Sequence, residues 1–270
     1  MTLVARIDGF CLAHKMLYDH CDFRPGVNEA MRKQQSGFTL VEIAIVLVII
    51  GLLLGGVLKG QELINSAKVK NMIGDLRAVS SMVYAYQDRF KALPGDQTAA
   101  QLTQSFGAAV AATPCAPSAA ATNCDNNNGR IDGDWFAGGA GGTGVTTDET
   151  SVFWQHVRLA NLATGPTATI TTDPNYRPRN ADGGFIGIES GISSATGLPA
   201  PYIANMRGSL FVCSAGILGR YAKQIDTTMD DGNTAGGSVQ AVLNGAARGS
   251  AAVATNLIVD SQQYTVCLAN

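Results

Sequence analysis

Apolar positions change their spacing near residue 59, and that change divides the first third of the chain. From Phe38 to Leu58 almost every position is apolar, and the only ionisable group is Glu42. At ~1.5 Å per residue this run makes a helix roughly 30 Å long, enough to cross the hydrocarbon core of a bilayer. Beyond Lys59, Leu63, Ile64, Val69, Met72, Ile73, Leu76, Val79, Val83, Tyr86 and Phe90 recur at helical spacing. Lys68, Lys70, Asp75, Arg77, Gln87 and Asp88 fall mostly between them. The spacing predicts one helix continuing to about residue 92 with a single apolar face. Leu93-Pro94-Gly95-Asp96 then stops it. An all-round apolar first half suits lipid or packing among copies of itself, and an amphipathic second half suits a folded domain.

Later segments give shorter signals. Ser151–Leu162 predicts an amphipathic helix that turns Val152, Phe153, Val157, Ala160 and Leu162 toward a core. Ser209–Ala215 and Leu257–Leu268 read as strands. Tyr221–Asp226 reads as a helical turn leading into Met229-Asp230-Asp231-Gly232. Asp226, Asp230 and Asp231 fit an acidic turn capping that helix, with a second oxygen cluster as the alternative. From Ala99 to Thr147 the chain is rich in Ala, Thr and Gly, and Phe136–Gly144 is flexible by composition.

Composition narrows the class. With 270 residues, a net charge of −2 and 46% hydrophobic residues, the chain is not disordered and has no electrostatic footprint for nucleic acid. About 210 residues follow the apolar run, enough for one domain with a sizeable core. Gly 31 and only 15% charged residues point to a loop-rich, β-containing domain. No Ser/His/Asp, Cys/His or paired-carboxylate arrangement offers a nucleophile with a base, so no enzyme is expected. His156 reads as a hydrogen-bonded packing element, and Cys11, His14, His20 and Cys21 fit no zinc spacing.

Glu42 carries the functional signal. An unpaired carboxylate inside such a run costs at least ~2.5–3.5 kcal/mol. Cutting the chain after Gly37 would create a cationic amine at Phe38, one helical turn away, for this carboxylate or that of a stacked neighbour. Basic Arg32-Lys33, small Ser36-Gly37, then Phe38-Thr39-Leu40-Val41-Glu42 and the apolar run resemble the class III signal of type IV prepilins and type II secretion pseudopilins. The match lies at Gly37, Phe38 and Glu42, with Gly51 at the family's small position inside the helix. It covers residues 31–95 well and the remainder thinly.

That resemblance implies cleavage between Gly37 and Phe38 by a prepilin peptidase, N-methylation of Phe38, and assembly through Phe38 and Glu42. It implies an α+β, pilin-like fold, in which a long N-terminal helix with a membrane-spanning first half packs on a small loop-rich antiparallel sheet. The expected divisions are a leader at 1–37, a transmembrane and assembly segment at 38–58, an amphipathic segment at 59–92 and a head at 93–270. Met31 begins MRKQQSG, a leader of the family's usual short kind, so the true start is expected at Met31. Many pilins place a proline mid-helix; here none occurs between Phe38 and Leu93. Expected partners are the peptidase, other pilin or pseudopilin subunits and an inner-membrane assembly platform. The expected place is the bacterial inner membrane, N-terminus cytoplasmic and head periplasmic, then a pilus or pseudopilus. The function implied is a structural subunit, a minor pilin or a pseudopilin. The alternatives are an adhesive tip pilin and a membrane-anchored calcium-binding protein with no filament role.

In a periplasmic head, Cys115, Cys124, Cys213 and Cys267 would meet an oxidising compartment. Four cysteines allow three pairings, and we expect Cys115–Cys124 and Cys213–Cys267. Residues 124–134, Cys-Asp-Asn-Asn-Asn-Gly-Arg-Ile-Asp-Gly-Asp, resemble calcium loops of EF-hand and dockerin type. The expected oxygen donors are Asp125, Asn126, Asn128, the Arg130 carbonyl, Asp132 and Asp134. Cys124 and Trp135 stand where such loops carry acids, and a solvated Asx-rich turn is the competing reading.

Overall fold

The computed structural model describes residues 37–108, 110, 112–115, 124, 127–136, 148–167, 175–193 and 199–270. It divides into two units, residues 1–52 and 53–270. Helix α1 runs Leu40–Phe90. In the first unit its side chains from Leu40 to Leu52 are all exposed.

In the second unit α1 becomes one-faced, as the spacing predicts. Val69, Met72, Ile73, Leu76, Val79, Val83 and Tyr86 are buried, while Leu63 and Ile64, expected on that face, stay exposed. The helix ends two residues earlier than expected, where Lys91 adopts a positive φ of 52°. Leu93–Gln97 then turns inward and is buried. Gly95 is required there: at φ 101° an added Cβ would lie 2.6 Å from the Glu149 carbonyl oxygen.

Helix α2, Ala99–Phe106, starts with a capping box between Thr98 and Gln101. Helix α3, Glu149–Leu159, buries every side chain from Glu149 to Arg158 and so is more enclosed than an amphipathic reading implies. Strands follow at β1 Ile186–Glu189, β2 Ile192–Ser193, β3 Pro199–Ala200 and β4 Phe211–Leu218. Helix α4 spans Gly219–Met229, longer than the turn expected at 221–226, and β5 Val239–Leu243 and β6 Gln263–Ala269 complete the chain.

The main sheet is antiparallel with order β1-β4-β6-β5, and β2 pairs with β3 separately. Both faces of the main sheet are covered. Ile186, Ile188, Val212, Ile217, Val239, Ala241, Tyr264, Val266 and Leu268 join the core with α1, α3 and α4. Phe211, Cys213, Ala215, Val242 and Cys267 face a second cluster of Trp135, Phe136, Tyr202, Ile203 and Met206. A register shift between Ser214 and Ile217, with Gly216 at φ 69°, reverses the alternation of β4, so that Cys213 and Ala215 face the second cluster and Ile217 the first. The strand expected at 257–268 is shorter. Thr255–Leu257 forms a 3-10 turn, and the Gln262 N–H bonds back to the Val259 carbonyl, so pairing begins only at Gln263. The fold is thus the expected α+β, pilin-like class: a long apolar N-terminal helix and a small antiparallel sheet.

Candidate functional site

Residues 37–39 are irregular and exposed, and the helix begins at Leu40. Thr39 caps it. Its hydroxyl accepts the Glu42 N–H at 3.3 Å. Glu42 Oε2 accepts the Thr39 backbone N–H and the Thr39 hydroxyl, each at 2.9 Å. This is a capping box, Thr39-x-x-Glu42, satisfying two of the orphan donors at a helix start. The carboxylate therefore has partners in the uncut chain, where the sequence reading looked for one only after cleavage. Among the described residues nothing donates to Glu42 Oε1.

Cleavage at Gly37–Phe38 leaves this cap intact, because the Thr39 N–H belongs to the next peptide bond. A cation at Phe38 would add to the cap and not replace it. The helix that follows is long and apolar enough to cross a membrane, and none of that apolar stretch is buried within the protein.

In the head, the expected disulfides both form: Cys115–Cys124 and Cys213–Cys267. The second joins directly opposed residues of β4 and β6. It is buried in the second core cluster.

The Asn-rich turn is organised from outside. Asp96, at the end of the buried stop after α1, accepts the Asn128 N–H on Oδ1 at 3.0 Å and the Gly129 N–H on Oδ2 at 2.8 Å. Its backbone carbonyl accepts the Asn127 N–H. Burial raises the Asp96 carboxyl above its ordinary range, against the pull of these N–H groups. Asn128, Arg130 and Asp132 come together, but on each other. Asn128 Nδ2 donates to Asp132 Oδ2 at 2.6 Å, Arg130 Nε to Asp132 Oδ1 at 3.1 Å, and the Arg130 N–H to Asn128 Oδ1 at 2.9 Å. Arg130 thus brings its guanidinium to Asp132. Asp134 turns elsewhere, accepting from Arg248 Nη2 at 2.7 Å and from the Phe136 N–H at 3.0 Å. Asp125 and Asn126 lie outside the described residues.

Sequence reasoning missed the buried charge cluster beside this turn. Glu189 has no exposed surface. It accepts from Arg248 Nη1 at 2.9 Å, Arg248 Nη2, the Trp135 N–H at 3.2 Å and the Tyr202 N–H at 2.9 Å. Burial pushes its carboxyl up, and Arg248 pulls it down. These partners lie 59 residues apart in the chain, and no local pattern announces them. His156 is the packing element expected. It is fully buried and held down to about 4 by that burial, with Nδ1 accepting the Gly95 N–H and Nε2 facing the Thr113 carbonyl, each at 2.9 Å. The neutral ring fastens the stop after α1 to α3.

Residues 32–58 match the family model described as the prokaryotic N-terminal methylation motif. No curated protein and no solved structure matches the chain. The matched stretch contains Gly37, Phe38 and Glu42 together with the exposed apolar part of α1. Such a motif implies processing by a prepilin peptidase and assembly with other pilins, and with the apolar helix it fits a membrane-anchored pilin. Residues 32–58 thus carry a prokaryotic N-terminal methylation motif, which supports a type IV pilin-like precursor.

Proposed function

We propose that this chain is a minor pilin or pseudopilin, a structural subunit that enters a type IV pilus or a secretion pseudopilus. It sits first in the bacterial inner membrane with its N-terminus cytoplasmic and its head periplasmic. It is cut after Gly37, methylated on Phe38 and extracted into a bundle of like helices. The observation carrying this reading is the intact Gly37-Phe38…Glu42 signature ahead of a helix stretch with no buried side chain.

The energetics favour exchange of lipid for like helices. Lipid tails are as apolar as the side chains they cover, so moving Leu40–Leu58 into a helical bundle loses little apolar burial. What distinguishes one register from another is then polar. Glu42 keeps one oxygen outside its cap, and a neighbour's Phe38 amine is the matching cation. A charge pair of this kind specifies register more than it adds stability.

Intact mass and N-terminal sequencing of the protein from its own membrane test the processing. Phe38 bearing one added methyl is expected, and a chain retaining residues 1–37 in working filaments would refute it. Glu42→Ala is expected to be cleaved normally and to be impaired in filament incorporation. Normal incorporation of that variant would remove the register argument.

A further inference from the structure

Three carboxylates converge where α4 ends, away from the Asn-rich turn. Asp226 lies in the last turn of α4, Asp230 caps its C-terminus and Asp231 follows. One oxygen from each lies within 4.8 Å of the others. The C-terminal end of a helix is the negative end of its dipole, a place that favours cations and penalises acids. No salt bridge joins any of the three to a basic side chain among the described residues.

Asp226 makes this arrangement more than a surface cluster. Its side chain has no exposed surface, and neither carboxylate oxygen has a hydrogen-bond partner among the described residues. A buried carboxylate without donors costs several kcal/mol, and such groups persist where they are paired, protonated or bound to a metal. The other two acids are held by backbone donors on one oxygen each. Asp230 Oδ2 accepts the Ser238 N–H at 2.5 Å and the Val239 N–H at 3.0 Å, and Asp231 Oδ1 accepts the Asn233 N–H at 2.8 Å. Gly237 is needed for the first, since an added Cβ would fall 2.0 Å from Asp230 Oδ2.

We propose that Asp226, Asp230 and Asp231 form a site for a hard divalent cation, calcium in preference to magnesium, which ties the end of α4 to the start of β5. The donor set is all oxygen, with no His or Cys, and so excludes a preference for zinc or softer metals. Asp231 is exposed, leaving one side open for water ligands. Calcium accepts six to eight oxygens in irregular geometry, whereas magnesium demands a near-ideal octahedron that three carboxylates on one turn do not prearrange. The cation supplies the positive charge that Asp226 lacks and fixes Asp230, whose other contacts are the N–H groups at the start of β5.

The test uses the full chain in detergent, disulfides intact, stripped with chelator and titrated with calcium or magnesium chloride at neutral pH. One calcium is expected to bind with Kd on the order of 10⁻⁴–10⁻³ M. Calcium about a hundredfold above Kd is expected to raise the melting temperature by about 5–10 °C, with magnesium giving less. Asp226→Asn and Asp231→Asn are each expected to weaken calcium by at least about tenfold, while Asp132→Asn, in the Asn-rich turn, leaves it unchanged. Asp231 is exposed, so its variant reports even if Asp226→Asn fails to fold. No calcium response at about 10 mM overturns the proposal, as does an unaltered response in Asp231→Asn. A response abolished by Asp132→Asn places calcium in the other turn and overturns it too. If calcium is silent and Asp226→Asn alone stabilises the chain, a proton occupies Asp226 and the site does not exist.

Discussion

Replacing Arg248 by methionine removes the cation from a carboxylate that has no route to water. Glu189 is fully buried and receives two of its four hydrogen bonds from the Arg248 guanidinium; Trp135 and Tyr202 supply the others from their backbones. Arg248→Met keeps most of the side-chain volume but leaves Glu189 with two neutral donors and takes from Asp134 its guanidinium partner. Breaking one side of such a pair costs about 3–5 kcal/mol. That is a large share of the roughly 5–15 kcal/mol by which domains are stable. For a domain of this size, each kcal/mol lowers the midpoint by about 2–4 °C, so a drop of about 6–20 °C is expected. Thermal unfolding of the detergent-solubilised chain, disulfides intact, reads it. Burial already raises the Glu189 carboxyl, and losing Arg248 raises it further. The folded variant then holds a proton that the unfolded chain has released, so its deficit grows as pH rises above the ordinary glutamate range and shrinks on acidification. Glu189→Gln in the same chain removes the stranded charge, and the double variant is expected to regain most of the loss. A single variant costing under about 1 kcal/mol, or a double variant no better than the single, would refute the reasoning.

Three further outcomes follow from the same geometry. Opening Cys213–Cys267 by paired alanine substitution is expected to cost about 4 kcal/mol, and opening Cys115–Cys124 about 3 kcal/mol, by loop entropy over sequence separations of 54 and 9 residues; denaturant unfolding of the two double variants gives the order. Asp148 is buried with Oδ1 unpartnered, and burial pushes its carboxyl to about 6. The native chain retains that proton between about pH 4 and 6 while the unfolded chain loses it, so stability falls as pH rises through that window. Asp148→Asn is expected to be more stable by roughly 1–2 kcal/mol at neutral pH and unchanged below about pH 4, measured by denaturant midpoints. Glu42→Gln is expected to enter filaments as poorly as Glu42→Ala, while Thr39→Val, which loses about 1 kcal/mol of capping, is expected to enter them far better; incorporation counts beside wild type compare the three.

How much of this was legible depends on whether one side of an element meets water. Helix α1 was readable because Val69 to Tyr86 keep one apolar face against exposed Lys70, Arg77 and Asp88. Leu63 and Ile64 fit the same spacing and are nonetheless exposed, because spacing records a face and not where its cover begins. The sheet hides its alternation. Phe211–Ala215 is buried on both sides, so it reads as a continuous apolar run, and its end was misplaced by the bulge at Gly216. Strand β1 escaped because it is only four residues long, with a glycine and a glutamate among them. Gly187 is there for Trp135, whose ring would lie 2.7 Å from an added Cβ, and Glu189 is there for Arg248. Helix α2 carries a capping box, Thr98 to Gln101, but it opens an Ala-, Thr- and Gly-rich stretch whose composition points to no element. The Asn-rich turn was found, yet its organiser, Asp96, sits 32 residues upstream of Asn128, beyond any motif's reach.

Thr39-x-x-Glu42 shows a different kind of omission, in which one residue answers two demands and the louder one masks the other. The carboxylate was read as waiting for the amine that cleavage creates. Its geometry assigns Oε2 to the first turn of α1 before any cut, through the Thr39 N–H and hydroxyl. A glutamine there would serve the cap equally well, since capping boxes accept Glu or Gln. The cap therefore explains why a polar side chain of this length follows Thr39 by three residues, but not why it should be charged. Charge is what an ammonium on a neighbouring helix distinguishes, and only an acid retains an anionic second oxygen after the first has been committed to the helix start. The two roles are compatible because the bond proposed to be cut, Gly37–Phe38, lies one peptide before the N–H that the cap uses. On the proposed processing, a cation would be added at a helix whose first turn is already ordered, beside its own carboxylate.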